Sequence, residues 1–217
     1  MKLSVFSDLA CPWCYIGVTR LERALASYTL AGGEQPTLVF RAFQLDPDTP
    51  SDGAPLLQAI AEKFGSSEAA ETMAAQVREA GRADGLDFDF ERAVRANTYD
   101  AHRLLAWAEV AGGPGAQRDL AHELWRAHFT EGADIADPDT LAARAAACGL
   151  DADAADEWLA TDSGGDEVRM QIETARSASI SAVPTVVIEQ RYAVRGAQSQ
   201  ETYLHVLRDA RQRLRAD

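Results

Sequence analysis

Apolar and polar positions change rhythm several times along this chain. Residues 2–7, KLSVFS, are apolar at Leu3, Val5 and Phe6 and read as a short strand. From Pro12 the period lengthens. Val18, Leu21, Leu25 and Tyr28 recur every three or four residues, which is one buried stripe of a helix. Pro12 suits a first helical position, and Gly32–Gly33 ends the element. TLVFRAFQL, residues 37–45, reads as a second strand. After DPDTPSDGAP at 46–55 the pattern is helical to about Ala178, and it predicts helices near 55–64, 67–83, 99–111, 116–130, 138–148, 152–160 and 165–179. Asp137 with Pro138 caps one start, and Gly149 follows a helix ending at Cys148. Strand character returns in PTVVIEQRYAV, 184–194, as two short strands around a tight turn near Glu189–Arg191. A last helix carries Tyr203, Leu207, Ala210 and Leu214 on one stripe.

The resulting order, β-α-β, a long helical block, then β-β-α, is the thioredoxin order with an insertion. The predicted class is α/β, a thioredoxin-like fold with a large all-helical insertion domain. Residues 1–45 plus 180–217 form the discontinuous thioredoxin-like domain, and 46–179 form the insertion. The two β-rich ends must then meet in one sheet.

Charge and cysteine usage narrow the chemistry. With 21 basic and 34 acidic residues the formal net charge is −13, a field that repels phosphate backbones and anionic lipid, so neither nucleic acid nor a membrane is an expected partner. No stretch approaches the roughly 18 apolar residues needed to cross a bilayer. Met1 leads straight into LSVF without a basic segment and long apolar core, so a cytoplasmic location is expected. Three cysteines, an odd number, do not make a disulfide framework in a chain of 217 residues.

Cys11 and Cys14 in DLACPWCYIG stand at the predicted strand-to-helix junction. A cysteine in the first turn of a helix faces unpaired N–H groups and the positive end of the helix dipole, which favours a thiolate. Cys11 is therefore the expected nucleophile, and Cys14, one turn further in, the resolving thiol. Two other readings compete. Zinc asks for four ligands. The remaining candidates, Cys148, His102, His122, His128 and His205, show no second paired spacing, and the histidines of HELWRAH lie six apart, about 240° around a helix; no metal is expected. Two incidental core cysteines remain the plainer alternative. Support for redox chemistry comes from SAVPTVVI, where Val183 and Pro184 precede a strand. In a thioredoxin-type site this proline is cis, lies beside the Cys-x-x-Cys helix, and leaves the Val183 backbone to pair with an extended substrate.

Other residues have plain structural readings beside functional ones. Trp13 is expected half-exposed, covering the helix start or packing on substrate. Asp8 caps local N–H groups or acts on Cys11 by its charge. Thr98 is a natural N-cap, and His102 shares a face with Tyr99 and Leu105, as a buried structural histidine would. Gln198 bridges near the last helix, and Cys148 is a small residue at a helix end.

FSDLACPWCYIG, FQLDP, NTYDAHRL, EGADIAD and AVPTVVI…VRGAQ, in that order across nearly the whole chain, resemble the DsbA family and within it the FrnE-like subgroup of cytosolic thiol–disulfide oxidoreductases. The resemblance implies a helical domain over the active site and exchange with disulfide-containing proteins or small molecules. It implies no bound cofactor, with a low-molecular-weight thiol such as glutathione as co-substrate. The related kappa-class glutathione transferases and 2-hydroxychromene-2-carboxylate isomerases are similar at NTYDAHRL and at the Val-Pro. That similarity implies a substrate-lining role for Asn97 and His102 and an alternative function as a thiol-dependent isomerase or transferase of small aromatic or polyketide-like compounds. Those relatives carry serine at the position of Cys11, whereas this chain keeps both cysteines. In a reducing cytosol the pair would rest as a dithiol, which suits a reductase or isomerase.

Overall fold

The computed structural model describes residues 1–216. In chain order the elements are β1 (Lys2–Ser7), α1 (Pro12–Leu30), β2 (Thr37–Ala42), α2 (Leu56–Phe64), α3 (Ser67–Ala83), α4 (Tyr99–Arg126), a π-helical turn (Ala127–Glu131), α5 (Pro138–Ala147), α6 (Ala152–Leu159), α7 (Gly165–Ser177), β3 (Thr185–Ile188), β4 (Tyr192–Arg195) and α8 (Gln200–Ala216). The four strands lie in the order β2-β1-β3-β4. β1 and β2 run parallel with Val5 opposite Phe40; β1 and β3 are antiparallel with Val5 opposite Val186. The two ends of the chain thus share one sheet, with β1 at its centre. Glu189 and Gln190, at φ 48° and 55°, turn β3 into β4, the conformation of a tight hairpin loop.

Leu3 and Val5 are fully buried, and one apolar cluster joins them to Leu21 of α1, Leu124 and Trp125 of α4, and Tyr203 and Leu207 of α8. Each such side chain contributes roughly 1.5–3 kcal/mol on burial. The helical block therefore shares its core with the sheet. It also protects the outer edge of β2. The Gln117 side chain accepts from the Phe40 N–H at 2.8 Å, and that of Gln171 accepts from the Ala42 N–H at 2.8 Å. Two buried glutamines thus occupy donors that an edge strand would otherwise offer to another chain.

Three details differ from the sequence expectation. β2 stops at Ala42 instead of 45, because the Leu45 N–H turns away to the Asp8 carboxylate at 2.7 Å. The helices expected at 99–111 and 116–130 form α4, broken by Gly113 at φ 78° and followed by Pro114. The second half then widens into the π turn, which closes at Gly132 (φ 72°); a Cβ there would lie 2.4 Å from the Arg92 carbonyl oxygen, so only glycine fits. Finally, Thr98 occupies the N-cap of α4 without a side-chain cap. The neighbouring Asn97 carboxamide oxygen accepts the Tyr99 N–H instead, at 2.9 Å.

Candidate active site

Cys11 is the N-cap residue of α1, with Pro12 in the first turn. The turns on either side of it are each closed by a hydrogen bond: the Cys11 N–H donates to the Asp8 carbonyl at 3.2 Å, and the Cys14 N–H donates to the Cys11 carbonyl at 3.0 Å. Both thiols are free and buried, Cys11 at 5% exposure and Cys14 at 0%. Burial pushes the Cys14 thiol well above its ordinary value, and the neighbouring Cys11 sulfur and the Asp8 charge push the same way. Cys14 is thus held as a thiol beneath the more accessible Cys11.

On one flank stands the loop before β3. The Val183–Pro184 peptide bond is cis, and the Cys11 thiol faces the Val183 carbonyl oxygen at 3.9 Å. This close approach depends on Gly17, one turn beyond the cysteines. A Cβ at position 17 would stand 2.8 Å from Pro184 Cγ and 3.1 Å from Ala197 Cα. The loop is braced from behind: the Gly196 N–H donates to the Pro184 carbonyl at 2.7 Å, and the Tyr203 hydroxyl to the Gly196 carbonyl at 2.9 Å. Gln198 bridges here, donating to the Arg195 carbonyl at 2.7 Å. Trp13, 38% exposed, stands between the two cysteines in the sequence.

The other flank is a set of buried titratable side chains. Asp8, 2% exposed, accepts from the Ala10 and Leu45 N–H groups. His102, 3% exposed, brings Nε2 within 3.6 Å of an Asp8 carboxylate oxygen and within 3.0 Å of the Phe43 carbonyl. Burial alone would raise the Asp8 carboxyl. The His102 hydrogen bond and charge, with the Leu45 N–H and the Thr98 hydroxyl, outweigh it and hold Asp8 below 3.8. Trp125 donates its indole N–H to the Asp8 carbonyl at 3.2 Å and stacks on Tyr15 of α1. His128, on the π turn, is fully buried, and burial brings it down to about 4 against the smaller opposing effects of the Ala133 backbone and the Asp8 charge.

The residues singled out by sequence thus fall into two groups. Cys11, Cys14, Trp13, Val183 and Pro184 come together at the start of α1. His102 sits behind them on Asp8. Asn97 lies apart, bracing the 47–49 loop through the Pro47 and Thr49 carbonyls and lining a separate cavity of about 410 Å³ with Gln44 and Tyr99. Cys148, at the C-cap of α5, is half-buried, and burial pushes its thiol up to about 11. Three contributors were not read from sequence: Gly17, the Asp8–His102 pair, and His128, which entered there only as a metal-ligand candidate that was set aside. Gly17 did leave a trace, since a glycine inside a helix costs about 1 kcal/mol against alanine and asks for a packing reason. Among the described residues no three His, Cys, Asp or Glu side chains converge as metal ligands would, and no helix is long and apolar enough to cross a membrane.

Comparison with known proteins agrees with this geometry. The family model described as a DSBA-like thioredoxin domain matches residues 2–208. Among solved structures, a probable DsbA oxidoreductase from Streptomyces coelicolor is 32% identical, with a TM-score of 0.88 over 97% of this chain and 89% of its own. The cytosolic disulfide reductase DsbM from Pseudomonas aeruginosa, solved with GSH, is 18% identical with a TM-score of 0.67, over 98% of this chain and 100% of its own. A 2-hydroxychromene-2-carboxylate isomerase is 15% identical with a TM-score of 0.69, over 99% and 96%. No curated protein matches.

Proposed function

The chain belongs to the DSBA-like thioredoxin domain family, with a thioredoxin-like fold, and from that premise we propose that it is a cytoplasmic, FrnE-like thiol–disulfide oxidoreductase acting as a disulfide reductase or isomerase. The observation that carries the reading is the placement of Cys11 at the N-cap of α1, facing the Val183 carbonyl, with Cys14 sealed one turn below. The Cys11 thiolate attacks one sulfur of a substrate disulfide; the S–S bond breaks, the other sulfur leaves as a thiolate, and a mixed disulfide forms. The extended substrate segment lies along Val183 and Pro184, with Trp13 beside it. Cys14 then loses its proton and attacks the Cys11 sulfur. The second substrate thiol is released, and two electrons have passed to the substrate as the Cys11–Cys14 disulfide forms. Two equivalents of a low-molecular-weight thiol, glutathione being the one proposed, return the pair to the dithiol. Substrates are disulfide-containing proteins or small molecules, and no bound cofactor enters the cycle.

Redox titration of the pair by tryptophan fluorescence in glutathione buffers tests this, with Cys11→Ser as the control. A reversible two-electron transition absent from Cys11→Ser, together with a loss of disulfide reduction of at least about a thousandfold in that variant, is the expected result. A Cys11→Ser variant that keeps activity on a small aromatic substrate would instead favour the thiol-dependent isomerase or transferase.

A further inference from the structure

The backbone flank of Cys11 is built from residues 9–19, 179–188 and 192–199, and these segments hold a single Asp, Glu, Lys, Arg or His, namely Arg195. Its place follows from the sheet. Arg195 ends β4 opposite Thr185, the residue after Pro184, and the Gly196 N–H beside it donates to the Pro184 carbonyl at 2.7 Å. The Arg195 side chain is exposed and reaches toward the stretch that leads into Val183, where Nη2 donates to the Ser179 carbonyl at 3.5 Å. That contact is long for a hydrogen bond and engages one of the guanidinium's several donors.

Other arginines packed around the sheet and α4 are closed on carboxylates: Arg20 on Asp84, Arg41 on Glu109 and Arg103 on Asp100. Among the described residues Arg195 has no such partner. Ser181 and Ala182 next to its guanidinium are exposed, and Val183 is half-buried, so the cation lies along the solvent-open approach to the main chain that would receive a substrate. An extended segment paired there advances about 3.3 Å per residue, so side chains within about three residues of the reacting cysteine pass the guanidinium. Its planar fork of donors matches a carboxylate.

We infer that Arg195 is a specificity-determining residue, selecting extended disulfide substrates that carry an Asp or Glu close to the reacting cysteine, on one side of it. The inference rests on the oxidoreductase reading. The net charge of −13 spread over the whole chain acts the other way, attracting Lys and repelling Asp wherever Arg195 is out of reach. The preference therefore depends on position along the peptide, which a general loss of activity does not produce.

The test is reduction of disulfide-linked peptides by the reduced full-length protein, with glutathione as reductant and Asp, Asn or Lys placed in turn at each of the nearest positions before and after the cysteine. On one side kcat/KM follows the order Asp, Asn, Lys, with Asp about threefold above Asn, the size of one exposed ion pair. On the other side Asp has no advantage. Arg195→Gln abolishes the preference, Arg195→Glu reverses it, and Arg195→Lys keeps it in weaker form. 2-Hydroxyethyl disulfide, uncharged and too short to reach the guanidinium, is reduced equally by the parent and all three variants. Equal reduction of the Asp, Asn and Lys peptides by the parent, or an Asp preference that survives in Arg195→Glu, overturns the inference. So does an equal fall for every substrate in Arg195→Gln, which would make the arginine a brace of the Ser179 stretch. If the parent reduces 2-hydroxyethyl disulfide but shows no charge preference, the inference fails alone; if it reduces no disulfide at all, the redox reading fails and this inference with it.

Discussion

The two flanks of Cys11 are built by opposite means. Toward Val183 and Pro184 the site presents backbone and a half-exposed indole. Toward Asp8 it presents buried titratable groups, Asp8 with His102 and, on the π turn, His128. If the proposed exchange takes place there, the first arrangement would accept many substrate sequences, because backbone contacts do not read side chains. The second ties Cys11 and Cys14 to the core, because Asp8 holds the turn into Cys11 and its charge acts on Cys14. Changes on the backbone flank should therefore alter substrate handling, and changes on the buried flank should alter stability and its dependence on pH.

The largest effect should come from Asp8→Asn. The buried carboxylate accepts from the Ala10 and Leu45 N–H groups, and a hydrogen bond to a charged group is worth about 1.5–3 kcal/mol, so denaturation at pH 7 should show a loss of about 4 kcal/mol. A loss below about 1 kcal/mol would mean that the flank is not held by this carboxylate. The native Asp8 value is depressed, so its stabilisation is present above the ordinary carboxylate value of 3.8 and disappears as pH falls through the lower native value. The acid limb of the stability curve should therefore flatten in the variant. The two flanks separate further by pH. His128 is depressed from 6.5 to about 4, so the neutral buried form contributes stability that is complete above 6.5 and is lost between 6.5 and 4. That loss is about 3 kcal/mol. His128→Phe should abolish that part of the slope; an unchanged slope would assign the titration to another group.

Gly17→Ala tests whether the flanks are independent. The added methyl would meet Pro184 at 2.8 Å and the Ala197 backbone at 3.1 Å, an overpacking that costs about 2 kcal/mol. Because it displaces the Val183 loop, disulfide reduction should fall about tenfold while the pH slope of stability stays as in the parent. A variant with unaltered kcat/KM would show that the loop can shift without affecting exchange.

The halves of the site differed as much in legibility as in construction. The strands, the helices and the meeting of the chain ends follow from periodicity and caps, because those signals are local: the Val18–Tyr28 stripe and the Asp137–Pro138 start are as expected. The backbone flank was legible because its residues belong to short motifs. The buried flank was not. Asp8 and His102 meet only after the helical block folds over the sheet, and no spacing in the sequence relates them. The π turn was hidden because i→i+5 bonding leaves the apolar period of the preceding helix almost intact, while Gly132 has the sequence signature of an ordinary C-cap. Asn97 was legible as a polar residue at a helix start, but its carboxamide is turned toward the 47–49 loop by two carbonyls that sequence could not place.

The smallest and most discriminating effect is expected at Trp13. At 38% exposure its indole contributes little packing to the folded chain, so Trp13→Ala should change thermal stability by no more than about 0.5 kcal/mol. If the backbone flank engages an extended peptide, the indole face covers that peptide beside the Cys11 sulfur, and its loss should raise KM for a disulfide peptide about threefold to tenfold with kcat nearly unchanged, since this contact is made equally in ground and transition states. For a small disulfide that does not reach beyond the sulfur, neither constant should move. A fall in kcat for both substrates would instead place Trp13 in the exchange step itself, and a loss of stability would assign it to covering the start of α1.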